Sequence, residues 1–127
     1  MSRLISLAPQ FLVDDLEAST TFYKNRLGFA IDFVYEGFYA SVSRDGLAIH
    51  LKCAPKIEPD RENRKTNEHL DAYANVEGIE ALYAEFQSRD VPILKTLEER
   101  PWQVRDFYVE DPDGYIIGFS EALTQTG

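Results

Sequence analysis

Few side chains in this sequence have the types and spacing for chemistry. It holds two histidines and one cysteine. A transition ion such as Zn²⁺, Fe²⁺ or Mn²⁺ wants at least three protein ligands, and the donors available are His50, Asp71 and, next to the latter, His69. His69 and Asp71 stand two apart in a stretch that reads as a strand, so to share one ion they would have to converge from neighbouring pleats. Ser41 or Ser120 with His50 supplies the residue types of a nucleophilic pair, but no motif surrounds either serine. Cys53 has only Lys52 as a nearby cation and no second cysteine to pair with, so it reads as a structural thiol; there is no glycine-rich phosphate loop.

Residues suited to recognition are more plentiful. Phe33, Tyr35, Phe38 and Tyr39 crowd two successive strands, and strand alternation sorts them between faces. A face with the parity of His50 and Ala48 takes Gln10 and Leu12 on the first strand and Asp71 and Tyr73 on the fifth. Trp102, followed by Gln103, Val104 and Arg105, is the kind of residue that stacks a planar ligand at little entropic cost, and equally the kind that fills a core or a dimer interface. Glu36, Asp71, Asp106 and Glu110 would add negative potential for a cationic ligand.

The elements that must position these residues can be read from periodicity and turn chemistry. The first half predicts a strand near 8–13, a helix over about 16–27, and strands near 29–35, 38–43 and 47–53. Leu16, Thr20, Tyr23 and Leu27 share a helical stripe, Asp14 or Asp15 can cap its start, and Gly28 sits where a left-handed C-terminal residue belongs. Gly46 in Arg44-Asp45-Gly46 suits a tight hairpin. After a charged, aperiodic stretch the order repeats: a strand near 70–76, a helix over about 79–89, a short strand at 93–96, and two strands around Asp111-Pro112-Asp113-Gly114. That tetrapeptide is a turn with a mechanism: proline presets φ, the aspartates bond local backbone, and glycine supplies positive φ. Val13-Asp14-Asp15-Leu16-Glu17-Ala18 lines up with Val76-Glu77-Gly78-Ile79-Glu80-Ala81, and Gly46 with Gly114. An extra length in the second half falls around residues 97–103, where insertion costs little.

The predicted fold class is therefore α+β: two βαβββ modules, about 4–53 and 68–122, joined by a charged linker at 54–67, with curved mixed sheets around a cleft. One helix covers one face of each sheet, so the other face must curl toward a second sheet or a second chain. At 127 residues a single domain buries roughly two-thirds of its unfolded surface and folds without staples. With no apolar run near the ~20 residues needed to span a bilayer, no signal sequence and a lone cysteine, a soluble cytoplasmic protein is the expectation. The net charge of −9 argues against nucleic acid as a partner and is otherwise what solubility asks for.

Taken together, Val13 to Tyr23, Leu27-Gly28-Phe29, Asp45 to Leu51, Val76-Glu77-Gly78-Ile79 and Asp111-Pro112-Asp113-Gly114-Tyr115 resemble the vicinal oxygen chelate superfamily of glyoxalases, extradiol dioxygenases, fosfomycin-resistance enzymes and bleomycin resistance proteins. The resemblance implies up to four metal ligands, from the first and last strands of each half. Matched residue by residue, those positions are Ala8, His50, Asp71 and Gly118, the last where metal-dependent relatives carry Glu. Two of the four cannot bind a metal. The chain is thus most similar to the bleomycin resistance type, which implies no cofactor, no catalysis, and sequestration of an aromatic or cationic small molecule, such as a drug, by a homodimer in a bacterial cytoplasm. Its ligand cleft would draw on His50, Asp71, Trp102, Tyr39, Phe38, Tyr73, Gln10 and Arg105. The alternative is a divergent metal-dependent lyase, isomerase or dioxygenase using His50 and Asp71 with a third ligand, His69 or one from elsewhere or from a partner chain; a third class is a regulatory or scaffold domain without a ligand.

Overall fold

Strand, helix and three strands occur twice in the same order. The computed structural model describes residues 2–54, 65 and 69–123, and the chain divides into two compact units, Met1–Ile57 and Glu58–Gly127. The first holds β1 (Gln10–Val13), α1 (Leu16–Asn25), β2 (Ala30–Tyr35), β3 (Tyr39–Arg44) and β4 (Leu47–Cys53). The second holds β5 (Ala72–Asn75), α2 (Ile79–Ser88), β6 (Ile93–Arg100), β7 (Val104–Glu110) and β8 (Ile116–Ala122). Each unit is a four-stranded mixed sheet, ordered β1-β4-β3-β2 and β5-β8-β7-β6, with the outer pairs β1–β4 and β5–β8 parallel. The linker predicted at 54–67 lies outside the described residues except for Ala54 and Lys65. No helix among the described residues is long and apolar enough to cross a membrane.

In the first unit α1 starts where the sequence predicts, with the Asp15 carboxylate accepting from Ala18 N at 3.1 Å. It ends two residues before the predicted Leu27. Gly28, at φ +77°, turns the chain so that Phe29 N donates to Tyr23 O, and Arg44 Nη1 donates to the Leu27 carbonyl at 2.7 Å. Under the helix lie Phe11, Val13, Ala40, Val42, Ile49 and Leu51, all buried, together with Tyr23, whose ring meets Phe22 and Phe29 edge-on. The hairpin at Asp45-Gly46 has positive φ at both residues, the twist-matched form that favours this dipeptide.

The second unit buries Phe86 of α2 between Phe107 and Phe119, which are cross-strand partners with rings 5.3 Å apart. The Asp111 turn forms as its chemistry requires. Asp111 Oδ1 accepts from Asp113 N and Tyr115 N, Gly114 N donates to Asp111 O, and Gly114 takes φ +87°.

Three strand boundaries differ from the prediction in ways that bear on the candidate residues. β1 begins at Gln10 rather than Ala8, because Pro9 has no N–H to give a ladder; its carbonyl accepts from His50 N. β5 spans Ala72–Asn75, so His69 and Asp71 precede it. β6 runs on to Arg100, and the added length is absorbed by register shifts between Ile93 and Lys95 and between Lys95 and Glu98. What holds this long end is an ion pair: Arg100 Nε donates to Asp106 Oδ1 at 2.6 Å, and Nη1 reaches Glu98. Burial alone would lower the Arg100 pKa, but the hydrogen bond to Asp106 and the charges of Asp106 and Glu98 outweigh it and raise it. Asp106 is 1% exposed. Asp106→Ala leaves Arg100 with only the more exposed Glu98 as a partner, and chemical denaturation should show a loss of about 1–3 kcal/mol.

α2 begins at Gly78, which has no side chain to cap it; Glu121 of β8 takes that role, accepting from Ile79 N at 3.0 Å and Gly78 N at 3.1 Å. Those two bonds hold the Glu121 carboxyl below its usual 4.5, helped by the Arg105 charge and opposed by slight burial. A depressed folded pKa contributes stability that is complete above the unfolded value and lost as pH falls through the folded one. Glu121→Gln should therefore lower Tm by about 2–5 °C at pH 7. The gap between variant and wild type should close as the pH is taken below 4.5 in thermal melts.

Candidate functional site

Alternation places Gln10, His50, Ser41 and Phe33 in one row across all four strands of the first sheet, on the face opposite α1. Tyr39 lies next to this row and ties it together. Gln10 Nε2 donates to Tyr39 Oη at 2.9 Å, and the same hydroxyl is 2.9 Å from His50 Nδ1. The Tyr39 ring meets His50 edge-on at 5.6 Å and lies nearly parallel to Phe33 at 6.4 Å, while Phe38 bridges Tyr39 and Tyr35 edge-on. Phe33, Tyr35 and Phe38 remain 43–58% exposed, a large apolar area for a chain to leave in water. Of the residues expected in a ligand cleft, Gln10, Phe38, Tyr39 and His50 are thus brought together.

The row also holds a group that the sequence reading missed. Asp32 is the extra residue of a bulge in β2, and its carboxylate accepts from Ser41 Oγ at 2.9 Å and Ser43 Oγ at 2.7 Å. The signal available was an aspartate inside an apolar strand opposite two serines spaced by two. Ser41 is thereby bonded to Asp32 and His50 to Tyr39, so a Ser41–His50 nucleophilic pair does not form.

The remaining expected residues belong to the second unit. Asp71 is turned into the chain: its carboxylate accepts from Ile116 N at 2.8 Å while its own N–H donates to Ile116 O. His69 is exposed. Tyr73 pairs with Gly118 in register and is half-exposed. Trp102 is 64% exposed on the turn between β6 and β7, which removes the core alternative for it. Arg105 faces the helix side, where its guanidinium pairs with Glu80 of α2; a neighbour of Trp102 in sequence, it lies on the other parity of β7. The negative potential expected from Asp106 and Glu110 is offset by Arg100 and Lys65.

Gly118 occupies a closed spot. A Cβ there would lie 2.9 Å from Leu70 Cδ1, 3.0 Å from Tyr73 Cδ1 and 3.3 Å from Tyr108 Cδ1. A side chain there would need Leu70 and Tyr73 to give way.

A family model described as the Glyoxalase/Bleomycin resistance protein/Dioxygenase superfamily matches residues 6–119. The chain belongs to this superfamily. Among solved structures it is similar to a bleomycin-binding protein from bleomycin-producing Streptomyces verticillus, crystallised with copper(II)-bleomycin. That match has 22% identity and TM-score 0.70, covering 98% of this chain and 100% of that one. It is also similar to a glyoxalase/bleomycin resistance protein/dioxygenase from Alicyclobacillus acidocaldarius (14%, TM-score 0.80, covering 94% and 92%) and a glyoxalase-related enzyme from Clostridium phytofermentans (19%, TM-score 0.78, covering 96% and 98%). At these identities the likeness is one of fold. Among curated sequences none matches significantly.

The superfamily's implied metal does not fit the residues present. Ala8 and Gly118 carry no donor, Asp71 is committed to Ile116, and His50 has one ring nitrogen committed to Tyr39. Among the described residues no three His, Cys, Asp or Glu side chains gather into a group able to hold an ion. Restoring the missing side chain should not restore a site. Overpacking costs about 1–3 kcal/mol, offset by ~0.5–1 kcal/mol of backbone entropy on replacing a strand glycine. Gly118→Ala should then lose about 1 kcal/mol in denaturant melts, and Gly118→Glu more, with no gain of bound metal by elemental analysis.

Proposed function

We propose that this chain is a non-catalytic binding protein of the bleomycin resistance type, which takes up a planar aromatic or cationic small molecule and acts as a homodimer. The observation that carries this reading is the glycine at position 118, which offers no donor at the place where metal-dependent relatives carry Glu and which Leu70, Tyr73 and Tyr108 crowd. The aromatic face of the first sheet supports it, since stacking on Phe33, Phe38 and Tyr39 needs surface and orientation but no reacting group. The apolar edge strand β2, whose Ile31, Val34 and Tyr35 are all more than a third exposed, supports a second copy as the partner that shields it.

Binding can be read by calorimetry. Titration with copper(II)-bleomycin should saturate at one site per subunit, and Phe33→Ala should weaken binding about 3–10-fold, the worth of one aromatic pair, with Tm little changed. Purified protein should hold well below one equivalent of Zn, Fe or Mn, with no shift in Tm on adding chelator. Stoichiometric metal, with a Tm that falls on chelation, would sink the binding-only reading in favour of a metal enzyme.

A further inference from the structure

We propose that the ligand of the first sheet is an arylalkyl amine bound as its ammonium, whose N–H groups go to the Asp32 carboxylate while its ring lies on Phe33 and Tyr39. This rests on the aromatic-binding reading above and adds to it the charge of the ligand and the residue that selects it. Asp32 stands on β2 between Ile31 and Phe33, where the register with β3 shifts. Its hydrogen bonds fix the side it faces. Oδ2 accepts from Ser41 Oγ at 2.9 Å and Oδ1 from Ser43 Oγ at 2.7 Å, and Ser41 is in register with both Phe33 and His50. The neighbours of Ser41 on β3, Ala40 and Val42, are fully buried under α1, so alternation puts the carboxylate on the aromatic side of the sheet.

A carboxylate has about four acceptor positions, and the two serine hydroxyls use two of them without bringing any charge. Among the described residues no cation pairs with Asp32, whereas Asp106 has Arg100 and Glu110 has Lys65. The lysine on this face, Lys52, is in register with Tyr39, at the opposite end from Ser43. His50 makes its described hydrogen bond to Tyr39. Asp32 thus keeps open acceptor positions and an uncompensated charge beside exposed aromatic surface. Laying a neutral ring over it would strip water from that charge and return nothing. An ammonium on the ligand returns both a counter-charge and N–H donors, and it is itself attracted to aromatic faces such as those of Phe33 and Tyr39.

The test uses three probes on one ring system, 2-naphthylmethylamine, 2-naphthalenemethanol and the trimethylammonium analogue of the amine, with calorimetric binding to the full chain at neutral pH. The wild type should bind the amine about 3–10-fold more tightly than the alcohol, between the worth of an exposed ion pair and that of a charged hydrogen bond. Added salt should shrink that ratio. Asp32→Asn should abolish it, and Asp32→Glu, which keeps the charge, should retain part of it. The trimethylammonium probe, with the charge but no N–H, should bind more weakly than the amine. An amine preference that survives Asp32→Asn comes from the net charge of −9 and overturns Asp32 as its source. A trimethylammonium probe that matches the amine overturns the N–H contact. Equal affinity of the wild type for amine and alcohol overturns the cation while leaving aromatic binding intact. Failure of both to bind overturns the aromatic-binding reading, and the cation with it.

Discussion

Each four-stranded sheet carries a single helix, so the two-residue alternation of its strands divides the side chains into a sealed set and an unsealed set. The sealed set is ordinary: phenylalanine, valine and isoleucine packed against a helical stripe. The unsealed set is where this chain departs from a generic fold. On the first sheet it is a row of Gln10, His50, Ser41 and Phe33, too aromatic for solvent and too well hydrogen-bonded to be leftover core. On the second it is a tight patch in which Leu70, Tyr73 and Tyr108 crowd the bare Cα of Gly118. One face offers aromatic surface, and the other crowds a glycine that has no donor to offer.

Polar groups on these faces are organised in pairs and short chains. Asp32 collects two serine hydroxyls, Asp71 holds a backbone N–H, Asp106 holds Arg100, and Tyr39 stands between Gln10 and His50. Asp71 and Asp106, which might have stood ready for a ligand or an ion, are already satisfied within their own unit. The Arg100 Nη2 is the exception, a buried donor without a partner among the described residues. A face built this way discriminates by shape and by one or two directed hydrogen bonds, because its charges are largely spoken for.

Much of this was legible in the sequence wherever the cause is local. The Asp15 cap, the Gly28 exit, the Asp45-Gly46 hairpin and the Asp111 turn each depend on residues within a few positions of one another, and each formed as read. Parity alone brought Gln10 onto the face of His50. What could not be read depends on partners remote in sequence or on bulges, which shift parity without marking it. Glu121 reaches Ile79 across a separation of 42 residues; Asp32 gains its place only because β2 bulges; and Arg105, on the parity of Phe107 that packs against α2, pairs with Glu80, a partner 25 residues away. The strand ends near Ala8 and Asp71 were misplaced by proline chemistry and by a side chain that substitutes for the ladder.

The Glu121 cap has a consequence for how the molecule is made. The first unit has its cap, its exit and its four strands within its own first 53 residues, so it can close while the rest of the chain is still being synthesised. The second cannot. Its opening strand β5 pairs only with β8, and the first turn of α2 is anchored by a carboxylate from that same last strand. The order of synthesis thus separates the two repeats that the sequence makes look equivalent: the first has all its strand partners early, and the second must wait for β8.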